Sequence, residues 1–143
     1  MRAMSLRPIF AAAFAIACTT AARAAPPPDP LALYGPEIVF SVWRSGSEIG
    51  QHRVLFARDG GVLVARSLLD LAVKVLGITV YRYTYRAEET WRGGRLERLR
   101  SSVDDNGTPA RVEAKAEQDK LAVTGPAGDL VIGGAVLPST HWD

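Results

Sequence analysis

From Glu37 onward the chain consists of short stretches in which apolar and polar residues alternate, each closed by glycine, asparagine or aspartate, and this rhythm restricts the fold more than any other feature. A period of two places alternate side chains on opposite faces of an extended strand, and a turn of a few residues returns the chain beside itself. "EIVFSVWR" sets Ile38, Phe40 and Val42 against Val39, Ser41 and Trp43; "SGSEIG" turns, and "QHRVLFAR" comes back with Val54 and Phe56 opposite Arg53 and Leu55. The expectation is an all-β fold, an antiparallel meander forming a curved sheet or half-barrel.

"DGG" at Asp59–Gly61 marks the next turn, and "VLVARSLLDLAVKV" after it supports two readings. Leu68, Leu71, Ala72, Val75 and Leu76 fall at helical spacing, with Ser67 and Asp70 resembling a capping box and Gly77 a terminator. Against this, Leu69, Leu71, Val73 and Val75 alternate with Asp70, Ala72 and Lys74, and β-branched residues crowd the far end, so strand is preferred. Leu76-Gly77 is then a tight turn or a bulge with an apolar tip. "RGGR" and "DDNGTP" predict further hairpins, Asn106-Gly107 being the strongest turn signal in the chain. "ARVEAKAE", "LAVTG" and "LVIGGAVLPSTHWD" complete the rhythm, and the abrupt "LPSTHWD" points to a truncated frame or one half of a larger sheet.

The N-terminal residues have a different character. Arg2 and Arg7 precede an apolar run from Ile9 to Ala17 and small residues around Ala22-Arg23-Ala24, the pattern of a secretory signal peptide over 1–24. The run is shorter than the roughly 20 residues of a transmembrane helix. A Pro-rich linker follows at 25–36, and the β domain occupies 37–143. A competing reading takes "AIAC" as a lipoprotein site with a lipid anchor at Cys18. Otherwise the mature chain has no thiol, since Cys18 is the single cysteine. Removing 1–24 takes three of the 17 basic residues and none of the 15 acidic ones, so the net charge moves from +2 to −1. A periplasmic or secreted, near-neutral domain lacks the one-signed field that nucleic-acid binding requires.

"TVYRYTYRAEETW" places Tyr81, Tyr83 and Tyr85 on one face and Arg82, Thr84 and Arg86 on the other. The tyrosines either fill the inside of a sheet or, with Trp91, line a site for an apolar or amphipathic molecule. Tyr81, Tyr83, Tyr85 and Trp91 are therefore the candidate ligand-binding residues. Glu88 and Glu89 point to opposite faces and are expected to meet arginines such as Arg98 or Arg100 across the hairpin. His52 is expected to be partly exposed or hydrogen-bonded within a strand. Ser139, His141 and Asp143 are the residue types of a hydrolase triad, but they are too closely spaced for its relay on a regular strand. No nucleophile motif, phosphate loop or metal-ligand cluster accompanies them, so no catalytic residue, metal or cofactor is assigned and the chain is read as a non-enzyme.

"VFSVWRSGSEIGQHRVLF", "VYRYTYRAEETWRGGRLERLRSSVDDNG" and "LPSTHWD" together resemble an exported bacterial family, domain of unknown function six-one-three-four. The resemblance runs from about Val39 to the end and carries no assigned chemistry; it implies further chain after the last motif. The expected function is binding of an envelope ligand on the concave face. The alternative is an interaction module that docks another envelope protein through its edge strands or the apolar "VLGITV" tip, and a hydrolase is the weakest reading.

Overall fold

A computed structural model describes residues 29–133 and Pro138 of the protein. The signal-peptide reading of 1–24 with Cys18, and Ser139, His141 and Asp143, fall on residues outside those described. One short helix, α1 (Pro30–Tyr34), precedes eight strands: β1 (Glu37–Arg44), β2 (Ser47–Asp59), β3 (Val62–Val75), β4 (Ile78–Arg92), β5 (Arg95–Asp105), β6 (Thr108–Glu117), β7 (Lys120–Gly125) and β8 (Gly128–Gly133). They form one antiparallel sheet in which spatial order equals chain order. It is a curved meander that does not close, with β1 and β8 at its two edges.

Tight turns of primed geometry produce this arrangement, because their twist matches that of the flanking strands. Asn106 and Gly107 lie at φ 51° and 92°, the left-handed pair that the sequence predicts. Leu76 and Gly77 adopt nearly the same angles, 50° and 80°, which resolves Leu76-Gly77 as a turn. Leucine gains nothing from this conformation, which costs an L-residue about 1–2 kcal/mol through contact of Cβ with the backbone. The stretch before it is strand to Val75, as the alternation indicates.

The inner face buries Val54, Phe56, Leu63, Ala65, Trp91, Leu96, Ala114 and Leu121, contributed by β2 to β7. Register explains the grouping: Phe56 lies opposite Ala65, Leu63 opposite Trp91, Trp91 opposite Leu96, and Ala116 opposite Leu121. An irregularity between Thr90 and Trp91 shifts the β4–β5 pairing and sets the indole against Leu96. Within 25–36, Asp29 caps α1 by accepting from the Leu31 N–H at 3.2 Å, and Pro30 occupies the start of the helix, where its fixed φ is tolerated. Leu31 packs on the core, Tyr34 stacks on Phe56 with ring centroids 6.5 Å apart, and Asp29 pairs with Arg58 at 2.8 Å. Helix α1 thus covers one end of the inner face.

Candidate functional site on the inner face

Burial along β4 changes steadily with position. On the inner face Trp91, Glu89 and Ala87 are buried, whereas Tyr85, Tyr83 and Tyr81 are half-buried. Strand β3 runs the same course, with Leu63, Ala65 and Ser67 buried and Leu69, Leu71 and Val73 half-buried. Register pairs these rows: Leu69 with Tyr85, Leu71 with Tyr83, Val73 with Tyr81, and Val103 of β5 with Tyr85 on the other side. The result is a trough, filled at the α1 end and open at the other, floored by aliphatic and phenol side chains.

The tyrosine hydroxyls are handled differently along this floor. Tyr81 donates to Asp105 Oδ1 at 2.7 Å, and that hydrogen bond, followed by burial and the carboxylate charge, raises its pKa. Tyr85 is pushed up to about 12, first by burial and then by the charge of Glu89 and the neighbouring Tyr83. Both therefore remain neutral phenols, able to donate a hydrogen bond, throughout the ordinary pH range.

Polar groups mark the boundary between the two ends. Glu89 is 0% exposed, and its Oε2 accepts from the Trp91 indole N–H at 2.8 Å. A buried acidic side chain is costly without hydrogen-bond partners, and the indole N–H is one such partner for Glu89. Ser67, opposite Ala87, is buried, and its Oγ has no hydrogen-bond partner among the described residues. His52 is buried rather than part-exposed, with the Phe40 ring stacked on it at 5.9 Å.

Sequence expectation and structure differ at the acidic pair. Glu88 and Glu89 do face opposite ways, but Arg98 lies on the outer face opposite Thr90, so it cannot reach Glu89. Glu88 does lie opposite Arg100, yet it pairs with Arg66 of β3 at 2.8 Å, and Arg100 leans toward Glu113, 4.0 Å away. The four candidate residues share one face, but Trp91 belongs to the filled end and the tyrosines to the open one. The sequence reading took Ser67 only as part of a capping box and did not assign burial to Ser67, Glu89 or His52. Their matching parity with Val54, Ala65 and Trp91 carried the signal.

A separate groove of about 420 Å³ lies across the outer face between Leu55 and Glu113. Arg66, Arg86, Arg100 and Arg111 line it with Glu88 and Glu113, and none of the tyrosines contributes. Arg86 is held by both oxygens of Asp70, at 2.7 and 2.9 Å. This face is a solvated ladder of charge pairs, each worth little on its own. Among the described residues no group of three His, Cys, Asp or Glu side chains could hold a metal ion, and no helix is long and apolar enough to cross a membrane.

An open antiparallel meander with an aromatic-floored trough defines the class. The chain belongs to the family described as Domain of unknown function (DUF6134), whose sequence model matches residues 40–143. Comparison with curated proteins and with solved structures returned no match.

Proposed function

We propose that this domain is an exported binding module that holds an apolar or amphipathic envelope molecule along the open end of its inner face. One observation carries the reading: the rows Leu69–Tyr85, Leu71–Tyr83 and Val73–Tyr81 lie on the face that forms the core yet remain half-buried. Apolar surface of this kind stabilises a complex at about 25 cal/mol per Å² once covered. The neutral phenol of Tyr85 gives orientation, since it can donate to a polar head, while the Tyr81 hydroxyl is held by Asp105. The molecule lies along a trough rather than inside a closed cavity, so a long chain with a polar head suits it better than a compact ring.

Displacement of a fluorescent fatty-acid probe tests this. Wild type binds the probe in saturable fashion, and Leu71→Asp, which places a charge on the floor, lowers affinity at least about tenfold with an unchanged far-ultraviolet circular dichroism spectrum. Equal binding by both proteins contradicts the reading.

A second reading, an interaction module docking another envelope protein, draws support from the sheet edges. Val39, Phe40 and Trp43 of β1 and Leu130 and Val131 of β8 are exposed apolar residues on strands paired on one side only among the described residues. Such edges accept an added strand.

A further inference from the structure

The β3–β4 hairpin parts from the neighbouring β2 and β5 strands before it reaches its turn. Pairing of β3 with β2 stops at Leu71, opposite Gly50, and pairing of β4 with β5 stops at Tyr83, opposite Asp105. Beyond these points a two-stranded ribbon continues to the Leu76-Gly77 turn, a projection of roughly 15 Å at about 3.3 Å per residue. At its end Val75, Ile78 and Val80 are exposed and Leu76 is 98% exposed.

Five turns among the described residues of this sheet share the left-handed pair of φ angles, at Ser45-Gly46, Gly60-Gly61, Leu76-Gly77, Gly93-Gly94 and Asn106-Gly107, and among them only Leu76 is a large apolar residue. Asn106-Gly107 uses the residue that tolerates a left-handed φ, whereas Leu76 takes the same angle with a side chain that gains nothing from it and is fully in water. The chain therefore accepts backbone strain and apolar exposure together at one apex. Folding explains neither.

We infer that this apex inserts shallowly into the surface of a bilayer bearing anionic lipid headgroups. The order of side chains down the ribbon supports that partner: first Leu76, then Val75 and Ile78, then Lys74 and Thr79, then Val80, then Val73 with Tyr81 and Ala72 with Arg82. From Ala72 to Arg82 the charges are Lys74 and Arg82, with no acid between them. An apolar tip followed by Lys74, Tyr81 and Arg82 runs in the order of a membrane interface, from acyl chains to headgroups. Carboxylates begin only where the ribbon rejoins the sheet: Asp105 accepts from Tyr81, while in the same turn the Asn106 N–H donates to the Arg82 carbonyl at 2.8 Å. Insertion is confined to the Leu76 apex, because the outward backbone groups of the two-stranded ribbon below it have no partners inside lipid. This inference stands apart from the trough: an empty trough leaves it intact, and a loaded one does not establish it.

The test is cosedimentation of the full mature chain with phosphatidylcholine vesicles containing about 30% phosphatidylglycerol, against pure phosphatidylcholine. Wild type binds the anionic vesicles; Leu76→Asn weakens binding at least about tenfold while the thermal midpoint stays equal or rises, because asparagine suits the turn. Lys74→Gln with Arg82→Gln removes most of the preference for anionic vesicles. Wild type that ignores vesicles, or Leu76→Asn that binds as well as wild type, overturns the inference. So does a chain silent on vesicles whose residue 76, carrying a photocrosslinker, captures an envelope protein.

Discussion

The two ends of the inner face are built from the same strands and the same alternation, yet one end is packed and the other is not. Near α1, Phe56, Leu63, Trp91 and Leu96 meet across three registers and close over a buried carboxylate. About 20 Å of β-strand at about 3.3 Å per residue is enough to leave that environment: three alternate positions along β4 take the chain from the buried Trp91 to the half-buried Tyr85. The difference teaches that alternation assigns a side chain to a face, while burial depends on what lies over that face. A large aromatic at the packed end is covered by its neighbours, and one at the open end keeps part of its surface uncovered.

Trp91→Ala has the largest expected effect, a loss of about 3–5 kcal/mol measured by denaturant unfolding, because it leaves a cavity and takes the indole donor from Glu89. Tyr83→Ala at the open end costs about 1 kcal/mol or less on the same scale of burial. Equal losses would erase the contrast. Gly50→Ala comes next: a Cβ there would lie 1.8 Å from the Asp70 carbonyl oxygen, a backbone atom that cannot swing away. A loss of roughly 3 kcal/mol is expected, with exchange protection reduced in β1–β2 relative to β4–β5.

Alkaline titration sharpens the comparison further. Tyr85 has a folded pKa raised to about 12 from 10.0, so the folded state holds a proton that the unfolded chain releases. The stability from this group is present below pH 10 and is lost as pH rises toward 12. Tyr85→Phe flattens that part of the stability profile. Smallest of all, Arg66→Gln breaks the exposed pair with Glu88 and costs about 0.2–1 kcal/mol by thermal unfolding.

Much of this architecture was legible because each hairpin carries its own local signal. Asn106-Gly107 and Gly93-Gly94 identify their turns by composition alone, and the parity of Tyr81, Tyr83 and Tyr85 assigns them to the face of Trp91. Leu76 was harder, since leucine at a left-handed position contradicts the local rule, so the preceding stretch also admitted a helix although its alternation favoured strand. Helix α1 is five residues long, too short for any periodicity to register. The partner of Glu88 was missed because a central strand has two neighbours, and alternation does not say toward which of them a side chain leans. Burial of Glu89, Ser67 and His52 was hidden for a related reason: polar residues at inner positions look solvent-facing until the covering elements are known.

The central claim, that the open end of the inner face holds an amphipathic molecule, is tested most directly by native mass spectrometry of the mature protein purified from the envelope of a producing cell, with organic extraction of whatever travels with it. The account predicts a stoichiometric lipid-like adduct in wild type that is absent from Leu71→Asp. A clean unliganded mass for wild type, or an adduct retained undiminished by Leu71→Asp, would contradict it.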